Sequence, residues 1–317
     1  MAITIGCAVW TFTEPAHNPP YEEAIGIVGE LGFDRTELIL RDFDDIDGYW
    51  SGDRPRAIGE LLKRNGLELS QFAMFQNVMS GLASLVPEER SRSMEAFKAG
   101  CGIARQLDCS LVNFVSPWPE VVTSPNPYLP EYYYINVPGV DPRLRILRGF
   151  QTKLRVDFPR PFDAEAYWQS HVDAVQTVSD IAADHGLELA IENHANTMTP
   201  HTESLLRLME HADRPNLGVN LDTVWAFVQR EHVPTAIRKL GARLLHVHVR
   251  DGDGLAAYNL PVGQGATDWV EVFRALRIIG YDGTVSIEWA HDSRARANAE
   301  RALSLLRELA DEAAKAA

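Results

Sequence analysis

The feature that most constrains the fold of this chain is an alternation of short apolar runs with longer stretches that carry apolar residues at helical spacing. The alternation occurs eight times, beginning at Ile3 and ending at Ala314. A strict alternation of strands and helices is typical of a parallel sheet. Eight such units predict an α/β fold, a closed (β/α)8 TIM barrel, as a single domain over residues 1–317.

Four of the apolar runs, all in the second half of the chain, deliver a side chain that can bind a metal. Glu192 ends LELAIE, Asp222 ends GVNLD, His248 lies in LLHVHV and Glu288 ends TVSIE. A buried carboxylate is costly unless it is paired or bound to a cation. Because the C-terminal ends of barrel strands converge on one face, these four side chains are predicted to meet and to bind one divalent metal.

Three carboxylates and one imidazole form a mostly oxygen donor set, which favours Mn²⁺, with Mg²⁺, Co²⁺ and Zn²⁺ as alternatives. A substrate hydroxyl and its neighbouring carbonyl can chelate such a metal, which then stabilises an enediolate. Glu192 and Glu288 come from strands five and eight, so each is a candidate to move the α-proton. This chemistry predicts a sugar or polyol isomerase or epimerase.

Other polar and aromatic residues are placed at the same end of the predicted barrel. His194 follows strand five within a polar cluster and is predicted to assist proton transfer rather than to cap a loop. Asn196, in the same cluster, is a candidate substrate contact. Trp10 and Trp225 either stack on a sugar ring or pack in the core. Arg250 lies at the mouth and is a candidate substrate contact.

One irregular stretch, residues 116–161, follows strand four and therefore belongs to the catalytic face. It holds nine of the 18 prolines and a cluster of tyrosines and one tryptophan. A connection of this length is either functional or a disordered insert. We expect residues 128–139 to be ordered and to form a wall over the metal or a contact between subunits, so that the protein is an oligomer.

Composition limits which kinds of molecule the protein can bind and which cellular compartment is expected. The formal net charge of −14 and the presence of only five lysines disfavour nucleic acid as a partner and make a phosphorylated sugar a poorer substrate than a neutral one. No apolar run approaches the roughly 20 residues of a membrane span. Three cysteines without metal spacing are typical of a reducing compartment, and a cytoplasmic protein is expected.

Five motifs give the chain a resemblance to the xylose isomerase-like TIM-barrel superfamily of sugar isomerases, epimerases and lyases. They are IENH (191–194), NLDT (220–223), HVHVRD (246–251), GQG with DW (263–269) and GYDGTVSIE (280–288). The resemblance covers nearly the whole chain. It implies that Glu192, Asp222, His248 and Glu288 bind a divalent metal and that the two glutamates transfer protons. It also implies that Glu37, in the early TEL motif, faces the substrate.

The chain departs from ketose 3-epimerases at two positions that bear on the substrate. Trp225 stands where they have a histidine, and Gln264 stands in their GEG motif; Gln264 is therefore a candidate substrate contact. The long insertion is similar to that of C-glycoside deglycosidase α subunits, which cleave 3-oxo-C-glycosides by elimination and work with a small second subunit. This resemblance supplies an alternative function and an alternative partner.

A remote alternative is DNA repair, because AP-endonucleases share this barrel. Those enzymes use three zinc ions and many more histidines. The negative charge and the missing ligands of this chain argue against that function.

Overall fold

Eight parallel strands form a closed barrel in a computed structural model that describes residues 3–117, 163–195, 197–252, 260–288 and 295–315. Each strand pairs with the next along the chain, and the last strand pairs with the first, with Thr4 opposite Thr284. The predicted (β/α)8 barrel is therefore confirmed. The strands are β1 (Thr4–Ala8), β2 (Arg35–Leu40), β3 (Glu68–Met74), β4 (Leu111–Val115), β5 (Glu188–Glu192), β6 (Leu217–Asp222), β7 (Leu244–Val249) and β8 (Thr284–Ile287).

Helices follow the strands as the alternation predicted. The described helices are α1 (Glu22–Leu31), α2 (Asp44–Asp47), α3 (Arg54–Arg64), α4 (Gln76–Met79), α5 (Pro87–Gln106), α6 (Ala164–Asp184), α7 (Thr202–Ala212), α8 (Thr223–Val228), α9 (Val233–Leu240), α10 (Trp269–Ile278) and α11 (Ala295–Lys315). The sequence did not predict the short helices α2, α4 and α8. None of the described helices is both long enough and apolar enough to cross a membrane.

The first strand ends before Trp10. It stops at Ala8, and Trp10 lies in the short 3-10 turn Val9–Thr11 that follows it. The predicted insertion, residues 116–161, begins directly after β4. Residues 118–161 lie outside the described residues, as does the whole stretch 128–139 that was expected to be ordered.

Alternation along the strands separates an apolar outer face from a polar interior. On β7, Val247 and Val249 join the hydrophobic core, whereas His246 and His248 contact side chains of other strands inside the barrel. Successive strand residues point to opposite faces, so this period of two places the polar residues in layers. The barrel interior is therefore polar towards the C-terminal ends of the strands.

Two irregularities in strand register occur beside interior polar residues. The pairing of β2 with β3 shifts between Thr36 and Glu37, and that of β6 with β7 shifts between Val219 and Asn220. A bulge bends a strand and changes the direction of its side chains, and bulges are common next to active sites. Both shifts thus affect the orientation of residues that surround His248.

A buried histidine on α6 predicts a loss of stability in acid. His171 is fully buried; its Nε2 lies 3.5 Å from Ser116 Oγ, and its Nδ1 has no hydrogen-bond partner among the described residues. Burial lowers the pKa of His171 from 6.5 to about 4. Between these two values the unfolded chain binds a proton that the folded chain does not, so stability falls as the pH falls from 6.5 towards 4.

A pKa shift of this size lowers the free energy of unfolding by about 3 kcal/mol at the acid end of this pH range. We therefore expect His171→Gln to reduce the pH dependence of the free energy of unfolding by about one proton between pH 4 and 6.5. Denaturant titrations of both proteins across this range measure the effect. Equal slopes for the two proteins would show that His171 has the same pKa in the folded and the unfolded chain.

Candidate metal centre

Four side chains from successive strands β5 to β8 meet at the C-terminal end of the barrel. One ligand atom from each of Glu192, Asp222, His248 and Glu288 lies within 4.8 Å of the others. Glu192 and Asp222 are the last residues of β5 and β6, His248 lies inside β7, and Glu288 directly follows β8. The structure thus brings together the four residues that the sequence predicted would meet.

Glu192 is oriented by two amide side chains. Its Oε2 accepts hydrogen bonds from Asn113 Nδ2 at 3.1 Å and from Asn220 Nδ2 at 2.9 Å. Asn113 lies on β4 and Asn220 on β6, so the carboxylate is held from both neighbouring strands. This arrangement leaves Oε1 of Glu192 free of both amides.

Asp222 joins the barrel to the helix that follows it. Its Oδ1 accepts from the backbone N–H groups of Val224 at 2.9 Å and Trp225 at 3.2 Å, as the N-cap of α8. Its Oδ2 accepts from Nη2 of Arg250. Burial raises the pKa of Asp222 to about 6, and the attraction of Arg250 only partly offsets that cost.

His248 presents its two ring nitrogens to different groups. Nδ1 lies 3.4 Å from both Glu192 Oε2 and Glu288 Oε2, whereas Nε2 lies 2.8 Å from Glu37 Oε2. Burial disfavours the charged ring, but the surrounding Glu37, Glu192 and Glu288 outweigh burial and hold the pKa of His248 well above its ordinary value.

Glu288 is held by an indole and by the same arginine that contacts Asp222. Trp10 Nε1 donates to Glu288 Oε1 at 3.2 Å, and Arg250 Nη2 lies 3.4 Å from Glu288 Oε2. Burial alone would raise the pKa of Glu288, but the charges of Arg250 and His248 lower it to about 2.

The donor set fits a divalent cation. Three carboxylates converge on one point, and Glu288 Oε2 accepts no hydrogen bond from any described residue. Converging carboxylates repel one another unless a positive charge lies between them. A site with three oxygen ligands and one imidazole suits Mn²⁺ or Mg²⁺, and it has no thiolate ligand of the kind that zinc prefers in structural sites.

His194 and Trp225 contact each other beside the four residues. Their ring centroids are 4.0 Å apart, and both side chains are buried. The guanidinium of Arg250 lies 5.2 Å from the centre of the Trp225 ring. Burial lowers the pKa of His194 to about 3, so this imidazole is neutral at neutral pH. Trp225 is thus buried between the ring of His194 and the guanidinium of Arg250.

The remaining residues that were predicted to contact the substrate differ in how deeply they are buried. Glu37 is fully buried beneath His248, whereas Gln264 is exposed on the loop between β7 and α10. Trp10 is buried, and its indole nitrogen donates to Glu288. Asn196 lies outside the described residues.

Sequence reasoning did not identify four residues near the site. Gln71, Asn113 and Asn220 bind the carboxylates of Glu37 and Glu192, and the ring of His17 stacks between two aromatic rings. A signal was available for the two asparagines, because each is a lone polar residue inside an otherwise apolar strand. His17 carried no such signal, since it lies outside the strands, between β1 and α1, and its ring neighbour Phe75 is distant in sequence.

One buried carboxylate organises the loop that carries Gln264. Asp251 accepts from the backbone N–H groups of Gly252 and Gly263 at 2.9 Å and of Thr267 at 3.2 Å, and from Trp269 Nε1 at 2.9 Å. Asp251→Ala would leave these donors without their acceptor. We expect it to lower the free energy of unfolding by about 3 kcal/mol, since each buried polar group left unpaired costs about 1–3 kcal/mol.

Denaturant unfolding measures this effect, with Asp282→Ala as the matched control because Asp282 is exposed just before β8. The control should change stability by less than about 0.5 kcal/mol. Equal stability of the two variants would show that the loop does not depend on Asp251.

Known proteins with related sequences include sugar epimerases and dehydratases. The chain is 32% identical over 139 residues to the ketose 3-epimerase of Arthrobacter globiformis, covering 43% of this chain and 46% of that protein. It is 26% identical over 151 residues to the inosose dehydratase of Geobacillus thermodenitrificans, covering 42% of this chain and 50% of that protein. The matches thus span about half the length of these relatives.

The fold matches solved structures over its full length. The D-psicose 3-epimerase of Clostridium cellulolyticum H10, solved with D-tagatose, superposes with a TM-score of 0.73 at 19% identity, covering 97% of this chain and 99% of that chain. At this identity the similarity shows the fold alone. The model of the xylose isomerase-like TIM barrel family matches residues 25–309. This match covers most of the chain, which therefore belongs to the xylose isomerase-like TIM-barrel family.

Proposed function

We propose that this protein is a divalent-metal-dependent isomerase or epimerase that moves a proton on the carbon next to a carbonyl group of a sugar or polyol. The observation that carries the proposal is the convergence of Glu192, Asp222, His248 and Glu288 within 4.8 Å at the ends of four successive strands. The similarity to a ketose 3-epimerase and to an inosose dehydratase supports the same class of substrate.

These four residues would hold the metal, for which Mn²⁺ suits the donor set. When bound, a divalent metal acts as a Lewis acid that stabilises negative charge on substrate oxygen atoms. The site also supplies a fixed positive charge, since Arg250 contacts both Asp222 and Glu288. Arg250 is therefore our candidate for orienting a substrate oxygen when these carboxylates bind a metal.

We assign proton transfer to the two glutamates of the site. Glu192 and Glu288 belong to β5 and to the end of β8, so their carboxylates approach the centre from different directions. Asn113 and Asn220 fix Glu192, and Trp10 fixes Glu288. A general base must lie within hydrogen-bond reach of the proton that it removes. An epimerase needs two such groups on opposite faces of one carbon, and we propose Glu192 and Glu288 for these two positions.

His194 is proposed to assist the glutamates, and its burial against Trp225 makes the assistance testable. His194→Ala removes both the imidazole and the ring packing, whereas His194→Phe keeps a ring of similar size. If His194 assists proton transfer, both variants should exchange the substrate α-deuterium about 100-fold more slowly than wild type. A wild-type rate in His194→Phe would limit the role of His194 to packing.

Elimination is the second candidate, and the similarity to inosose dehydratases favours it. Removal of the same α-proton, followed by loss of a leaving group on the next carbon, would give a dehydration. In the C-glycoside deglycosidase alternative, the leaving group would be the carbon of an aglycone. Analysis of the products separates these reactions, because epimerisation conserves the mass of the substrate and elimination does not.

The deciding experiment combines metal analysis with a substrate screen. The purified protein is stripped with chelator and titrated with Mn²⁺, Mg²⁺, Co²⁺ and Zn²⁺. It is then incubated in heavy water with ketoses, inososes and 3-oxo-glycosides. We expect one divalent ion per chain and metal-dependent incorporation of deuterium next to the carbonyl of a neutral sugar. The absence of stoichiometric metal binding would overturn the proposal.

The final part of the proposal is that the insertion takes part in the assembly of an oligomer. We infer an oligomer, either of identical chains or with a small second subunit, from the tyrosine- and proline-rich insertion at residues 116–161. Replacing residues 126–141 with a Gly-Ser linker tests this by sedimentation and by activity on aryl glycosides. An unchanged mass and unchanged activity would assign the insertion no role in assembly or in substrate binding.

A further inference from the structure

A carboxylate beneath the proposed metal centre contacts the ring nitrogen of His248 that points away from the other ligands. Glu37 Oε2 lies 2.8 Å from His248 Nε2, while Nδ1 of the same ring lies 3.4 Å from Glu192 and from Glu288. The two nitrogens of an imidazole differ in role, and the partner of one determines which of them is free to bind a metal. Glu37 is therefore placed to control the atom that His248 offers.

Glu37 is itself fixed by its surroundings. It is fully buried, and Gln71 Nε2 donates to its Oε2 at 2.5 Å. Gln71 is the neighbour of Glu37 across the β2–β3 pairing, next to the register shift between Thr36 and Glu37. Irregular pairing of this kind redirects side chains. The strand geometry and the amide together hold the carboxylate against His248.

We propose that Glu37 is a positioning residue that orients His248 for metal binding, and that it does not contact the substrate. The proposal rests on the metal-dependent function proposed above. Hydrogen bonding of Nε2–H to a carboxylate leaves the Nδ1 lone pair directed at the metal position and makes the imidazole a better donor. The full burial of Glu37 supports this role over the substrate contact that the sequence resemblance implied.

The layer below extends the same arrangement without forming part of the ligand set. His246 Nδ1 lies 3.1 Å from Asn220 Oδ1, and its Nε2 lies 3.3 Å from Ser70 Oγ. Asn220 in turn donates to Glu192 and lies 3.2 Å from His248 Nδ1. Glu37 Oε1 is 3.9 Å from His246 Nε2, which is beyond hydrogen-bonding distance, whereas Glu37 Oε2 contacts His248 and Gln71. The amide nitrogen of Gln71 also lies 3.0 Å from His248 Nε2.

The test compares metal affinity in the absence of substrate. Glu37→Gln keeps the size of the side chain and removes its charge, and it should weaken Mn²⁺ binding by about 10–100-fold. Glu37→Asp keeps the charge and should recover part of that loss. Glu188→Gln is the matched control, because Glu188 is an exposed glutamate at the opposite end of β5, and its affinity should equal that of wild type. Calorimetric titration with Mn²⁺ measures all four proteins.

Kinetics at saturating metal then separate the two roles of Glu37. A positioning residue changes the metal dissociation constant and leaves KM for the substrate close to wild type once the site is full. A substrate contact raises KM and leaves metal affinity unchanged, and that result would overturn the proposal. If Glu37→Gln does not fold, Gln71→Leu, which removes the amide that holds Glu37, should weaken Mn²⁺ binding in the same direction, and unchanged affinity there would also overturn it.

Failure of this inference differs from failure of the proposed function. If wild type binds no divalent metal, the metal-dependent function itself is wrong. If wild type binds metal and Glu37→Gln binds it equally well, only the role of Glu37 is wrong.

Discussion

Asp222→Asn is expected to abolish stoichiometric metal binding and activity while leaving the barrel folded. Removing one carboxylate from a cation site with three removes both a ligand and a negative charge. Loss of a group that merely orients a ligand costs about 10–100-fold in affinity, so loss of a ligand should cost at least about 100-fold. Metal content after dialysis, measured by mass spectrometry, reports the result directly.

The fold should survive this change because asparagine is as good a helix N-cap as aspartate. Asp222 caps α8 through Oδ1, which accepts from Val224 and Trp225, and an asparagine oxygen can accept the same bonds. The loss of the charge next to Arg250 is the remaining cost. The unfolding midpoint should therefore fall, but Arg250 keeps Glu288 as a partner, and circular dichroism should still show a folded barrel.

Asp163→Asn provides the matched control for this prediction. Asp163 caps α6 in the same way, with Oδ1 accepting from the backbone N–H of Ala166 at 2.9 Å. The control tests the same substitution at a helix start outside the four proposed ligands, and it should retain full metal content. Full metal occupancy in Asp222→Asn itself would show that Asp222 is not a ligand.

The fold and the centre of the site could be predicted from the sequence for a physical reason. A period of two within strands and a period of 3.6 within helices are local signals, and their alternation determined the barrel. Barrel closure then brings all the strand ends together without any knowledge of side-chain contacts. This is why Glu192, Asp222 and Glu288 could be assigned to one face before their distances were known.

The contacts that orient these residues could not be predicted from the sequence in the same way. Gln71 and Glu37 face each other because of a register shift, and no local sequence signal reports register. Asp251 looks like one more polar residue after a strand, yet its partners extend to Trp269, 18 positions further on. The role of Trp10 was likewise unclear, because its bond to Glu288 joins the two ends of the chain.

The second large effect is expected when one of the two glutamates is neutralised. Glu288→Gln and Glu192→Gln should each reduce exchange of the α-deuterium by about 100–10,000-fold for the epimer from which the missing glutamate removes the proton, the range typical of a lost general base. Each assay is run at saturating metal with the metal content of the variant measured, so that loss of the ion is not mistaken for loss of the base.

Trp10→Phe is the control for Glu288, because it removes only the indole N–H that donates to Glu288 Oε1 and keeps the carboxylate. It should slow exchange far less than Glu288→Gln does. Activity of Trp10→Phe as low as that of Glu288→Gln would mean that the orientation of Glu288 matters as much as its charge.

Comparing the two members of an epimer pair gives the sharpest form of this prediction. Because Glu192 and Glu288 lie on different strands and approach the centre from different directions, each should remove the proton from one epimer only. Glu288→Gln should then stop exchange from one epimer while the other still exchanges through Glu192, and Glu192→Gln should show the reverse. Loss of exchange from both epimers in one metal-loaded variant, with exchange from both epimers close to wild type in the other variant, would rule out this two-base arrangement. It would point instead to a single base, which is the arrangement that an aldose–ketose isomerisation or an elimination requires.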